Sequence, residues 1–216
     1  MSSCCEPQGY DRVFTAGVAR RDAARYRRSG LTRDPRRVVE LYRSGAIDGE
    51  SVLDVGAGIG DLGLELLRAG ASHVTAVDLS PGYDDAAATL LAEAGLAGRV
   101  QRAVGDLAAR PDLAAPADVV ALMKVVCCYA DADRLLTVAA GHARRHLVLS
   151  YPRDTWWLRL FARATTVAAR WRRTDWGFVV HPERALLAAL EREGLHLTHR
   201  ERTGAFTLAV LTRTRV

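Results

Sequence analysis

The run Val52-Leu53-Asp54-Val55-Gly56-Ala57-Gly58-Ile59-Gly60-Asp61 constrains this chain more than any other feature, together with Val74-Thr75-Ala76-Val77-Asp78 one unit later. An apolar strand enters a glycine-rich turn, a helix follows, and an acid ends the next strand. That order builds a nucleotide-type cofactor site at the carboxyl end of a parallel sheet. The glycines let backbone approach a ligand where a Cβ would collide. Asp78, with Leu79 beside it, can accept hydrogen bonds from two ribose hydroxyls.

Asp54 separates the possible cofactors. A dinucleotide puts its pyrophosphate at this turn, where a carboxylate two residues before Gly56 repels it. S-adenosylmethionine (SAM) has no phosphate, and its α-amino group and sulfonium are cationic. Gly58-x-Gly60-x-x-Gly63 matches the dinucleotide pattern but sits two residues late after the strand, which leaves a nucleotide-dependent oxidoreductase as the alternative. Asp54-x-Gly56-x-Gly58, read with Asp78, resembles the first two motifs of class I SAM-dependent methyltransferases. The resemblance implies SAM as cofactor, held by Asp54, Gly56, Ala57, Gly58, Gly60, Asp78 and Leu79, with Asp54 toward the methionyl ammonium.

Length and composition fit one α/β domain. A helical arm is expected over 1–48 and the SAM-binding domain over 49–216, with a lid insertion at 152–180. No apolar run reaches the ~18 residues of a membrane span, so no integral membrane segment is expected. The N-terminus lacks an apolar signal core, which points to the cytoplasm. The paired cysteines Cys4-Cys5 and Cys127-Cys128 fit neither a disulfide framework nor zinc spacing, and no metal is expected. The net charge of +5 comes from scattered arginines, Lys124 being the sole lysine. A small molecule rather than nucleic acid is therefore the expected partner. Oligomeric state is left open.

Hydrophobic periodicity gives a continuous α/β alternation. Helices are expected at 11–28, stopped by Gly30, and at 35–42, capped by Asp34. Strands at 51–55, 73–77, 99–104, 119–122 and 146–150 alternate with helices at 60–69, 82–95 and 131–143. A helix at 182–193 leads into two strands, 195–202 and 205–212, joined by Thr203-Gly204. These are too close for a crossover and must pair as an antiparallel hairpin. A dehydrogenase sheet ends in parallel strands instead, whereas methyltransferases of the resembled class end in this way. The expected fold is thus a Rossmann-like, seven-stranded, mostly parallel sheet ending in an antiparallel hairpin.

Further contacts follow from ligand binding at the carboxyl ends of the parallel strands. Gly105-Asp106-Leu107 ends strand three, where the resemblance implies an acid facing the adenine amino group. Met123-Lys124-Val125 ends strand four, where the resemblance implies backbone carbonyls facing the methionine part of SAM. The stretch Asp118 to Tyr129 is also similar to that of magnesium-protoporphyrin IX methyltransferases and their small relatives. In those enzymes a histidine before the loop tyrosine and a tyrosine of the arm are implicated in catalysis. Cys128 takes the place of the histidine, Tyr129 matches the loop tyrosine, and Tyr26 matches the arm tyrosine. Cys127 and Cys128 either pack behind strand four or face the pocket, where thiols could orient substrate or hold a soft metalloid to be methylated.

Apolar positions Trp157, Leu160, Phe161, Ala164, Val167, Ala168 and Trp171 recur at helical spacing after Asp154, with arginines mostly elsewhere. This segment is expected to roof the pocket for a flat or lipophilic substrate, and its basic, amphipathic character also suits a membrane surface. His181 caps the helix that follows, on the active-site side, and is the candidate base. His73, His142, His146, His196 and His199 read as structural. The expected reaction is in-line displacement at the SAM methyl carbon by a small-molecule nucleophile, and the resemblance to the porphyrin enzymes implies oxygen as the acceptor.

Overall fold

Every residue of Ser51–Val55 is buried, as a strand covered on both faces requires. The computed structural model describes residues 10–171 and 177–214, and this segment, β1, lies inside its sheet. The other strands are β2 (His73–Asp78), β3 (Val100–Val104), β4 (Ala117–Met123), β5 (Ala143–Pro152), β6 (Leu195–Thr203) and β7 (Phe206–Arg213). Their order is β3-β2-β1-β4-β5-β7-β6. The first five run parallel, and β7 is antiparallel to both neighbours. This is the class I methyltransferase fold, and the short connection, Gly204-Ala205 rather than the expected Thr203-Gly204, forces the terminal hairpin.

The helices are α1 (Tyr10–Val13), α2 (Ala16–Ser29), α3 (Arg33–Arg43), α4 (Asp61–Arg68), α5 (Asp84–Glu93), α6 (Ala132–His142), α7 (Trp156–Trp171) and α8 (Glu183–Arg192). Alternating side chains of the strands feed two cores. Leu53, Val120, Leu122 and Leu147 pack against α6 and α8. Val52, Val119, Ala121 and Val148 face the opposite layer, built from α2, α3, α4 and α5. The order in which successive strands are laid down reverses at β1, so a crevice opens between the carboxyl ends of β1 and β4.

Three local expectations are corrected. The helix expected over 11–28 breaks at Phe14-Thr15, because Thr15 is extended and its Oγ1 accepts the Val18 N–H at 3.4 Å. Thr32 rather than Asp34 precedes α3, and Asp34 is buried in the first turn. Pro182 takes the N-cap position before α8 in place of His181. His142 and His146 serve the amino ends of the strands. His142 meets the carbonyls of Val138, Pro111 and Ala114, and His146 meets Asp48 and Thr212.

Helix α7 departs from expectation in orientation. Among the described side chains of α7, Leu158 and Ala162 are buried, while Trp157, Leu160 and Phe161 point outward. Asp154 grips Arg159 with both carboxylate oxygens. Cys4, Cys5, Arg172 and Arg173 lie outside the described residues, as do the side chains of Val167, Ala168, Arg170 and Trp171.

Candidate active site

A cavity of about 550 Å³ occupies the crevice above β1 to β4. That volume lies within the range of pockets that enclose cofactor-sized ligands. Asp54, Gly56, Ala57 and Gly58 line it from the first turn, with Asp78 and Leu79 from the second. Gly105, Asp106 and Leu107 form the wall after β3, and Lys124, Val125, Cys128 and Tyr129 the wall after β4.

The turn after β1 is shaped by close approach. A Cβ at Gly56, whose φ is 69°, would lie 2.5 Å from Val125 Cγ2, so the ends of β1 and β4 meet there only because no side chain intervenes. The Asp78 carboxylate is fixed by two amides: Gly58 N–H donates to Oδ2 at 2.7 Å and Ser80 N–H to Oδ1 at 2.8 Å. Each oxygen keeps acceptor capacity for a ligand hydroxyl. Beneath the turn, Arg102 donates to the Gly58 carbonyl and to Asp84, both at 3.1 Å.

This end of the cavity is acidic. Burial pushes the Asp54 carboxyl up to about 8, helped by the nearby Asp61 and Asp78 charges and opposed by Arg102 and the Gly63 amide. Burial also raises Asp61 and Asp78. Three desolvated carboxyl groups disfavour a pyrophosphate and favour a ligand bearing an ammonium and a sulfonium. The residues therefore fit SAM.

At the other end, Asp106 Oδ1 accepts the Ala108 N–H at 2.9 Å and Oδ2 accepts the Tyr129 hydroxyl at 2.8 Å. Burial and that bond raise the Tyr129 phenol, which stays a neutral donor. Lys124 adopts φ 60°, an unusual value for a side-chain-bearing residue, and its Nζ sits 5.2 Å over the Phe206 ring. Its amide donates to Ser150 Oγ at 2.9 Å, which ties the strained turn to β5. Cys127 and Cys128 hold their sulfurs 3.8 Å apart, and Cys127 donates to the Lys124 carbonyl. The hydrogen bond with Cys128, then burial, push the Cys127 thiol up, which keeps it protonated. The Tyr10 hydroxyl donates to the Cys128 carbonyl, and burial followed by its sulfur and acid neighbours pushes the phenol to about 12.

Three expected site residues do not face the cavity. Tyr26 is buried in the second core, where its hydroxyl donates to Glu65 at 2.7 Å and accepts from Arg68. Tyr10 is the arm tyrosine at the site. Gly60 supplies the left-handed residue, φ 74°, that starts α4 and is buried behind the turn. His181 points its Nε2 at the Tyr129 carbonyl, 3.1 Å away, and so supports the loop from behind.

The cavity also contains residues not singled out from sequence. Asp61 was legible as a second acid after the glycines. Tyr10, Phe14, Arg25 and Tyr83 reach it from the arm and the turn before α5, through a fold-back that no local pattern encodes. Phe178 and Phe206 complete an aromatic wall, and their separation in sequence hides their proximity.

Residues 52–147 match the family described as "Methyltransferase domain". No curated protein matches the chain. Among solved structures, magnesium protoporphyrin IX methyltransferase from Synechocystis PCC 6803, with bound S-adenosylhomocysteine (SAH), is 21% identical with a TM-score of 0.71, covering 94% of this chain and 100% of that one. An O-methyltransferase family protein from Burkholderia thailandensis is 22% identical with a TM-score of 0.70, covering 94% of this chain and 64% of that one. A TehB-like SAM-dependent methyltransferase from Corynebacterium glutamicum is 18% identical with a TM-score of 0.65, covering 94% and 100%. These likenesses show the fold. The oxidoreductase alternative is not favoured. Over residues 52–147 the chain thus matches a methyltransferase domain, and it is built on the class I methyltransferase fold.

Proposed function

We propose that the chain methylates an oxygen of an apolar or aromatic small molecule that bears a carboxylate. The observation that carries this reading is Lys124, the only lysine of the chain, poised over Phe206 in a cavity walled by Tyr10, Phe14 and Phe178. An aromatic wall accepts a flat or lipophilic body, and the ammonium offers a counter-ion for its carboxylate. SAM supplies an electrophilic methyl on a sulfonium, so that the C–O bond forms as the C–S bond breaks and the electron pair passes to sulfur. The protein's part is alignment and exclusion of water. Asp78 holds the ribose, Asp54 the ammonium, and Asp106, clamped by Tyr129, the adenine. Arg25, in reach of Asp61 at 3.9 Å, faces the same end and suits the methionyl carboxylate. A carboxylate acceptor is already ionised at neutral pH and needs no general base, which agrees with the turned-away His181.

The test is transfer of label from methyl-labelled SAM to a panel of aromatic carboxylic acids and phenols. Label released as methanol by mild alkali marks an ester, the expected product. Lys124→Met should raise KM for the acid with SAH affinity unchanged. Alkali-stable label on phenols, or label on nitrogen, would contradict the reading.

A further inference from the structure

Four of the six exposed large hydrophobic side chains among the described residues lie on the outer face of α7, which methyl transfer leaves unused. Trp156 is 77% exposed, Leu160 60%, Phe161 53% and Trp157 45%. At about 100° per residue these four cover an arc of roughly 140°, opposite the buried Leu158 and Ala162. One edge of the arc carries Arg159 and the exposed Arg163. At the start of the helix, Asp154 is held below the usual carboxylate range chiefly by Arg159, with Arg184 contributing, so two cations face one acid there. Arg153 adds a third cation at the end of β5.

We propose that α7 seats this enzyme on an anionic lipid bilayer, lying in the plane of the interface. A single convex helix, apolar outward and edged by arginine, matches a flat surface with an apolar interior and a negative rim. Paired tryptophans at the exposed end are suited to the headgroup level. No helix among the described residues is long and apolar enough to cross a membrane, so the contact is peripheral. The patch is continuous with the active site: the Phe161 ring meets Phe178 edge-on at 5.6 Å, and Phe178 lines the cavity. A substrate dissolved in the bilayer would enter beside the helix. The surface is argued from exposure and charge alone, so it stands whether or not the acceptor atom is oxygen.

All four tryptophans of the chain lie between 156 and 176, so intrinsic fluorescence reports on this segment. The full chain is mixed with vesicles of phosphatidylcholine alone or with added phosphatidylglycerol, and both flotation and emission are measured. Flotation with the anionic vesicles only, with blue-shifted emission and release by salt, is expected. Arg163→Glu should lower partition by roughly fivefold or more, the order expected for removing one cation from an anionic surface. Trp156→Ala with Trp157→Ala should lower it further, while SAH affinity and melting temperature stay unchanged. Failure to float with either vesicle overturns the proposal, as does flotation indifferent to these substitutions. A self-association in the absence of vesicles that Trp156→Ala abolishes would assign the face to a second copy of the chain instead.

Discussion

At the scale of single residues, Asp54 makes the sharpest statement. Its folded pKa of about 8 lies above the ordinary carboxylate value of 3.8. Its contribution to the stability of the ligand-free protein is thus present below about pH 4 and lost as pH rises toward 8. An ammonium bound beside it favours the ionised form, so binding near neutrality should release a proton, and SAH affinity should rise as pH climbs toward 8. Calorimetry in buffers of different ionisation enthalpy checks this; Asp54→Asn should abolish the proton release and leave adenosine binding nearly intact. An equal loss for adenosine would place Asp54 away from the ammonium. The two arm tyrosines form a second contrast. Tyr26→Phe should lower stability by about 0.5–1.5 kcal/mol, the net value of one hydrogen bond, with kcat unchanged. Tyr10→Phe should alter kcat or KM with the melting temperature held. The reverse pattern would return the catalytic role to Tyr26. The sequence pointed to Tyr26 and not to Tyr10 because a tyrosine on a long amphipathic segment is more visible than one on the single turn of α1.

Among the elements, the arm divides into a fixed and a covering part. Ala19, Ala23 and Tyr26 bury α2 in the second core, and Arg27 meets Glu93 of α5 through two hydrogen bonds at 3.0 and 2.8 Å. Helix α1 lies over the cavity, tied to the loop after β4 by the Tyr10 hydroxyl, while α2 reaches it through Asp22 and Arg25. Amides of α2 should therefore be protected from hydrogen exchange without ligand, and those of 11–14 should gain protection on adding SAH. Rapid exchange throughout α2 in the free protein would make the whole arm a mobile lid. The strands and glycine turns were legible because their patterns are local. Asp54 and Asp78 could be placed because each lies in a largely apolar strand, and Asp106 because it follows the end of β3. The face presented by α7 was not legible, since a helix apolar around most of its circumference does not say which side packs. The orientation of His181 was equally hidden, because it is set by a contact with Tyr129 across the sheet's upper edge.

For the whole molecule, order of strands and distribution of charge act together. The reversal beside β1 opens the crevice, and three desolvated acids at one end select a cationic ligand over a pyrophosphate. The hairpin of β6 and β7 closes the sheet and brings Phe206 to the substrate side, where Lys124 meets it. The choice of acceptor follows only if this crevice is where SAM binds. Titration calorimetry of the full chain with SAH, repeated on Asp78→Ala, examines that directly. Saturable binding at one site per chain is expected, weakened in the folded variant by about 1.5–3 kcal/mol for each charged hydrogen bond lost, with no comparable heat from NAD. Absence of SAH binding, or the same affinity in Asp78→Ala, would contradict it.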